Sequence, residues 1–152
     1  MKLIIMRHGQ ASWPASSDKA FSDKERSLTG QGIREVSDTV ALLAGQRVNY
    51  IFSSPYLRAQ QTARIAAERF GLRVATLDEL EPAGNPAKVL DALADSGVVL
   101  LVSHMPLVGY LAGLLCDGTP GAGPSFQTGM ALVLEMDMLA PGTGRVIERI
   151  IP

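Results

Sequence analysis

Apolar residues occur in six short runs along the chain, each bounded by polar or turn-forming residues. Four of these runs are rich in branched side chains, which is typical of buried strands. The other two lie near the end of the chain and alternate between apolar and polar positions, as half-exposed or edge strands do. The six predicted strands occupy 2–6, 49–53, 73–77, 98–103, 130–136 and 145–151.

Between the strands, apolar positions recur at helical spacing. Thr29 is a good N-cap for the first helix, and Ser54 with Pro55 predicts a cap and first helical position for the second. The four predicted helices extend from Thr29 to Gly45, from Ser54 to Phe70, over 86–95 and over 106–116. Strands that alternate with helices predict an α/β fold, a three-layer sandwich of a mostly parallel sheet with helices on both faces.

Length and composition narrow the class of protein. We expect residues 1–152 to form a single domain, and 47% apolar residues provide a sizeable core. A net charge of −1 argues against a nucleic-acid-coating or polybasic membrane-surface protein. The first apolar run is too short for a signal peptide or a membrane span. Cys116 is the only cysteine and cannot form an internal disulfide, so we expect a cytoplasmic protein without a zinc site.

Residues 10–26 form a polar stretch that resists assignment to a helix or strand. We interpret it as a surface loop, although long loops in compact domains often act as mouth or lid elements. Trp13 and Phe21 are its large aromatic residues, and we expect them to anchor the loop to the core rather than to line a site.

Candidate catalytic residues follow three of the predicted strands. Arg7, His8 and Gly9 follow the first strand. Arg58 lies one turn into the helix after the second strand, and His104 follows the 98–103 strand. Ligands of open α/β sheets bind beyond the carboxyl ends of the strands, so both histidines of the chain and two arginines are expected to converge there.

Such a set of side chains suits phosphoryl transfer. Guanidinium groups match the equatorial oxygens of a transferring phosphoryl group, on which negative charge is spread. One histidine can act as the nucleophile through an unprotonated nitrogen, and a second, if protonated, would supply another positive donor. Gly9 would let the backbone approach the phosphate closely. Taken singly, a structural histidine or a solvated arginine remains the alternative for each residue.

Four segments resemble the motifs of the histidine phosphatase superfamily, which has the phosphoglycerate-mutase-like fold. They are LIIMRHGQA at 3–11, LTGQG at 28–32, SSPYLRAQQTA at 53–63 and VSHMPLVGYL at 102–111. The short chain, with little room for a cap over the site, is most similar to the bacterial SixA-type phosphohistidine phosphatases.

The resemblance implies a role for each matched residue. His8 would be the nucleophile that becomes phosphorylated, and Arg7, Arg58 and His104 would complete the phosphate pocket. Water would then hydrolyse the phosphoenzyme, with no metal or cofactor. Thr29 and Gly32 in the LTGQG segment are better explained as a helix cap and its first turn.

Glu81 is the candidate general acid. Many relatives place a glutamate after the third strand, and Glu81 in LDELEPAGNP lies three residues before Gly84. A solvated loop charge is the alternative. The resemblance implies that SixA-type proteins need not have an acid at this position, because imidazole is a far better leaving group than the alkoxide of a phosphomonoester.

These observations predict a metal-independent phosphatase that removes phosphate from a phosphohistidine-bearing signalling or phosphotransfer protein. We expect it to be a monomer. The first alternative is a phosphatase of a small phosphomonoester, and the second is a phosphate-binding module without turnover. A mutase is disfavoured because an open pocket would lose a bisphosphorylated intermediate to water.

Overall fold

The computed structural model describes residues 1–13 and 22–152, which contain every strand and helix that the sequence predicts. The strands are β1 (Lys2–Arg7), β2 (Tyr50–Ser53), β3 (Val74–Thr76), β4 (Val98–Ser103), β5 (Ala131–Glu135) and β6 (Arg145–Ile150). The α-helices are α1 (Gly30–Leu42), α2 (Leu57–Phe70), α3 (Pro86–Ala92) and α4 (Leu107–Asp117). Short 3-10 turns occur at Asp23–Glu25, Asp78–Leu80 and Pro120–Ala122.

The strands form a sheet in the order β3-β2-β4-β1-β5-β6. The four strands β1 to β4 pair with one another in parallel. In contrast, β5 is antiparallel to β1, and β6 is antiparallel to β5. The predicted mostly parallel sheet is therefore confirmed. The prediction of half-exposed or edge strands is confirmed for β6, which lies at the edge of the sheet and is exposed except at its last residue. It is wrong for β5, which lies between two strands and is almost entirely buried.

Helices cover both faces of the sheet, which confirms the three-layer arrangement. On β1, Leu3 and Ile5 pack into the core beneath α3 and α4. The alternate residues, Ile4 and Met6, pack into the core beneath α1 and α2. Both faces of β1 are thus buried, which explains why its sequence is continuously apolar rather than alternating.

The start of α2 differs from the prediction. The helix begins at Leu57, and Tyr56 before it has extended backbone angles. Ser54 is not the helix cap, because its Oγ accepts a hydrogen bond from the Tyr56 amide within the turn that precedes the helix. The chain therefore leaves β2 through a short turn before α2 begins.

The register of the central strands places the ends of β1 and β4 side by side. Arg7 pairs with Ser103 at the last position of both strands, and the His8 amide donates to the Ser103 carbonyl at 3.0 Å. The two residues that follow, His8 and His104, consequently leave the sheet at the same level. This register, rather than any local sequence feature, brings together residues almost a hundred positions apart.

The first turn of α1 packs against the segment after β1. Thr29 Oγ1 accepts a hydrogen bond from the Gly32 amide at 3.0 Å, which confirms the predicted cap. A Cβ atom on Gly32 would collide with the Gln10 carbonyl oxygen. A Cβ atom on Gly9 would lie 2.6 Å from the Gly32 oxygen, so the two glycines allow the segment and the helix to touch.

This close approach predicts that Gly32→Ala destabilises the fold by about 1–3 kcal/mol, the range typical of overpacking. Gly30→Ala is the matched control, because a Cβ atom on Gly30 would meet nothing closer than Arg34 Nη1 at 3.6 Å. Alanine is the better helix former, so the control is expected to be neutral or slightly stabilising. Urea unfolding of the two variants measures the difference, and equal midpoints would contradict the packing argument.

Within the described residues, no helix is both long enough and apolar enough to cross a membrane. The longest helix there, α2, has 14 residues.

Candidate active site

The four residues with predicted roles in phosphate chemistry lie together at the carboxyl edge of the sheet. They share a cavity of about 380 Å³, and the His8 and His104 ring centroids are 5.0 Å apart. The predicted convergence of strand ends is therefore observed. The cavity is lined by Arg7, His8, Gln10, Ala11, Trp13, Arg26, Arg58, His104, Met105 and Thr128.

His8 is held in one tautomer by its neighbours. Its Nδ1 lies 2.7 Å from the Gly9 carbonyl oxygen, which can only accept, so Nδ1 carries the proton of the neutral ring. The lone pair is then on Nε2, which accepts a hydrogen bond from Arg58 Nε at 3.3 Å. His8 Nε2 is thus an unprotonated nitrogen directed into the cavity beside a guanidinium group, as a nucleophile toward phosphorus requires.

Burial keeps both histidines neutral. Loss of solvation lowers the pKa of His8 to about 4, and the charges of Arg58 and Arg7 act in the same direction. Loss of solvation, followed by the influence of His8 and Arg58, lowers the pKa of His104 to about 2. Near neutral pH His104 of the ligand-free site is therefore neutral, and in this state it can donate a hydrogen bond to an anion without carrying charge.

Arg58 is buried, which excludes the alternative of a solvated helix arginine. Besides the contact with His8, its Nη1 donates to the Asp23 carbonyl oxygen at 2.7 Å and its Nη2 to Asp23 Oδ2 at 3.2 Å. The guanidinium group is therefore fixed in orientation before any ligand arrives. Burial lowers the pKa of Arg58, but the group remains charged.

Arg7 is positioned by the loop that precedes β5. Its Nη1 donates to the Phe126 carbonyl oxygen at 2.7 Å. Its Nε is buried and has no hydrogen-bond partner among residues 1–13 and 22–152. A buried donor of this kind is costly unless a ligand satisfies it, which makes Arg7 Nε suited to an anion's oxygen.

Arg26 and Asp23 were missed by the sequence analysis. Arg26 Nε donates to the Ser12 carbonyl oxygen at 2.8 Å, and its Nη1 forms an ion pair with Asp23 Oδ1 at 3.2 Å. Partial burial would raise the pKa of Asp23, but the Arg26 hydrogen bond and the Arg58 charge outweigh it and lower the pKa. The one hint in the sequence is that Arg26 lies two residues before the LTGQG segment.

Trp13 does not anchor its loop to the core. Its side chain is 78% exposed and lines the cavity, and the Arg26 guanidinium carbon lies 3.7 Å from the ring centroid. The expectation of a core anchor is therefore wrong for Trp13, because stacking on a tethered arginine replaces contact with the core. Phe21 lies outside the described residues.

The structure gives Gly9 a packing role. Its amide donates to Thr62 Oγ1 at 3.2 Å, and its missing side chain makes room for α1. The predicted approach of its backbone to phosphate remains a prediction.

Glu81 is placed beside the site rather than in its lining. It follows the Asp78–Leu80 turn and is half-buried, and it is not among the residues that line the cavity. Ser103 Oγ donates to the Leu80 carbonyl oxygen at 2.7 Å, which fastens this turn to the end of β4. Glu81 thus lies at the same edge of the sheet as the histidines, and its role as general acid stays a prediction.

In the part of the chain that the structure describes, no group of three His, Cys, Asp or Glu side chains is arranged to hold a metal ion. The arrangement can instead bind a phosphoryl group through guanidinium donors and present a histidine nitrogen to it.

Neutral buried histidines predict that the fold loses stability in acid. A histidine of the unfolded chain titrates near 6.5, whereas the pKa of folded His8 is about 4. The unfolded state takes up protons first, so this stability is complete above pH 6.5 and is lost as the pH falls toward 4. We expect each histidine to contribute a slope of up to about 1.4 kcal/mol per pH unit.

Denaturant titrations at several pH values measure this dependence. His104→Gln removes one of the two groups and should flatten the decline in the free energy of unfolding. A difference between the two proteins that does not change with pH would contradict the assignment.

Comparison with known proteins gives consistent results. The model of the histidine phosphatase superfamily (branch 1) matches residues 3–82. The chain is 39% identical to phosphohistidine phosphatase SixA of Escherichia coli K12, over 94% of this chain and 90% of that protein. It is 36% identical to the SixA homolog of Haemophilus influenzae, over 76% and 77% of the two chains.

A similar fold is present among solved structures. The protein histidine phosphatase SixA complexed with tungstate superposes with a TM-score of 0.82 at 33% identity. The match covers 100% of this chain and 97% of that one.

Proposed function

Because the chain belongs to the histidine phosphatase superfamily, we propose that it hydrolyses phosphohistidine on a signalling or phosphotransfer protein. The observation that carries the proposal is the unprotonated His8 Nε2, held beside Arg58 in a cavity that Arg7 and His104 also line. The names of the relatives from Escherichia coli and Haemophilus influenzae support phosphohistidine as the substrate.

The proposed reaction has two steps. His8 Nε2 attacks phosphorus, and the bond from phosphorus to the substrate imidazole breaks. The imidazole, which carries hydrogen on its other ring nitrogen, leaves as a neutral molecule with the electron pair of that bond. Arg7 and Arg58 stabilise the charge on the equatorial oxygens, and the Gly9 carbonyl accepts from Nδ1 as positive charge develops on the His8 ring. Water then attacks phosphorylated His8, which releases inorganic phosphate and restores the neutral ring.

Within residues 1–13 and 22–152, no inserted helical or sheet unit covers the cavity, which supports a protein as the substrate. The chain covers 97% of the SixA–tungstate structure, and the exposed Trp13 forms part of the cavity wall. Such a site admits a side chain carried on another folded protein. We further propose that the enzyme acts as a cytoplasmic monomer and without a metal ion.

The alternative substrate, a small phosphomonoester, depends on Glu81. An alkoxide leaving group needs a proton donor on the enzyme, whereas an imidazole that already carries hydrogen on its other ring nitrogen leaves as a neutral molecule. We therefore expect Glu81→Gln to change phosphohistidine hydrolysis less than threefold. If Glu81 is the general acid for phosphomonoesters, the same substitution lowers their hydrolysis by about a hundredfold.

The deciding experiment measures phosphate release from a histidine-phosphorylated phosphotransfer domain in the presence of a chelator. Release that is much faster than hydrolysis of p-nitrophenyl phosphate supports the proposal. Efficient turnover of phosphomonoesters alone, lost in Glu81→Gln, supports the small-substrate alternative. Binding of the phosphorylated domain without any release supports the phosphate-binding module.

A further inference from the structure

Ser54 contacts the candidate phosphate pocket through a hydrogen bond that the reaction above does not use. It follows β2 directly, is fully buried, and its Oγ lies 2.7 Å from His104 Nε2. The sequence suggested a helix cap for this hydroxyl, and the structure places it against the second histidine instead.

The hydrogen bonds around Ser54 determine which partner donates. Its Oγ accepts from the Tyr56 amide at 3.2 Å. The neighbouring donors, Ser53 Oγ and Gln60 Nε2, bond to the Ser54 carbonyl oxygen and not to the hydroxyl. Among the described residues, His104 Nε2 is therefore the one acceptor for the buried Ser54 hydroxyl hydrogen, which would be costly to leave unpaired.

The donated hydrogen bond fixes the proton of the His104 ring. When Nε2 accepts, a neutral imidazole carries its hydrogen on Nδ1. His104 Nδ1 is buried and has no partner within residues 1–13 and 22–152. The ring is also held in place, since the Tyr56 ring packs against it at 5.0 Å with its plane at 65°. Nδ1–H is thus an oriented and unused donor on a residue that lines the cavity.

We propose that Ser54 is a positioning residue that locks His104 in the Nδ1–H tautomer, so that His104 binds the transferring phosphoryl group as a neutral donor. The oxygens of a phosphoryl dianion only accept hydrogen bonds, so the opposite tautomer would present a lone pair to them. The proposal rests on the proposed phosphatase function. It explains how the second histidine can bind an anion through a hydrogen bond without carrying charge.

The neutral donor also suits the nearby nucleophile. A protonated His104 would place a positive charge on a ring whose centroid is 5.0 Å from that of the His8 ring, and this charge would lower the basicity of His8 Nε2. With a neutral ring at this position, Arg7 and Arg58 supply the positive charge of the site, and His104 supplies an oriented hydrogen bond.

The first test is the tautomer itself, read from the ¹⁵N shifts and one-bond couplings of the His104 ring by NMR. We expect hydrogen on Nδ1 in the unsubstituted protein and a mixture of tautomers in Ser54→Ala. Hydrogen on Nε2 in the unsubstituted protein, or an unchanged tautomer in Ser54→Ala, would overturn the proposal. This readout needs no turnover, so it remains decisive even if the protein fails to hydrolyse phosphohistidine.

The second test compares the binding of tungstate, used as a phosphoryl analogue. Ser54→Ala is expected to weaken binding severalfold, because the affinity falls in proportion to the fraction of His104 that still carries hydrogen on Nδ1. Ser53→Ala is the matched control, because Ser53 is equally buried and its Oγ, among the described residues, donates to the Ser54 carbonyl oxygen and not to a residue of the cavity. Equal losses in both variants would mean that Ser54 acts through the fold alone.

Ser54→Thr completes the set, because threonine retains a hydroxyl that can donate to His104 Nε2. We expect it to restore most of the tungstate affinity and the Nδ1–H tautomer. A Ser54→Thr variant that folds with the Nδ1–H tautomer but binds tungstate as weakly as Ser54→Ala would overturn the link between tautomer and anion binding.

Discussion

His8→Ala is expected to lower phosphate release by about ten-thousand-fold or more, because it removes the nucleophile on which both steps depend. His8 Nε2 is the unprotonated nitrogen beside Arg58, and His104 offers no substitute because its Nε2 is engaged by Ser54. Initial rates with a histidine-phosphorylated phosphotransfer domain measure the effect.

The intermediate gives a second readout for His8. Denaturing a reaction with ³²P-labelled substrate should trap acid-labile label on the unsubstituted enzyme and none on His8→Ala. Far-UV circular dichroism and thermal unfolding serve as controls for the fold. A variant that folds and keeps more than a tenth of the activity would disprove the role of His8 as nucleophile.

Arg58→Ala is expected to lower kcat/KM by about a thousandfold, since it removes a fixed guanidinium from the charge that develops on the phosphoryl oxygens. The loss should appear in kcat as well as in KM, because Arg58 also holds His8 Nε2 through a hydrogen bond of 3.3 Å. Arg58→Lys should recover only part of the activity, because an ammonium group cannot reproduce the planar fork.

Arg64→Ala is the matched control for Arg58. Both arginines lie on α2, but Arg64 is exposed and is not among the residues that line the cavity. We expect the control to keep its activity. If Arg58→Ala changed thermal stability and left kcat/KM intact, Arg58 would be an anchor for the Asp23–Glu25 turn and not part of the phosphate site.

Much of the fold follows from the sequence because periodicity reports burial directly. The apolar run of β1 predicted a buried strand. The register between β1 and its parallel partner β4 then places His8 beside His104. Helix ends were less accurate, since a hydroxyl at Ser54 is compatible with a cap or with a side-chain contact. Only the packing of β2 beside β4 decides between them.

The sequence did not predict the two charged residues of the site that lie on the loop between β1 and α1. Arg26 and Asp23 occupy a polar stretch with no periodicity, and their contacts reach back to Ser12 and across to Arg58. The charge state of His104 could not be predicted from the sequence either, because it depends on burial, which lowers the pKa of the ring. The residues next to His104 in the sequence do not show how deeply a single side chain at a strand end is buried.

The strand order has a consequence for the order in which the chain is synthesised. β1 is the first strand to be made, yet its two neighbours, β4 and β5, span 98–103 and 131–135. Until they emerge from the ribosome, β1 has neither of its pairing partners, and its Leu3 and Ile5 side chains lack the cover that α4 provides. His8 is therefore synthesised well before His104, and the pocket that the two histidines share can close only after β4 and β5 have been made.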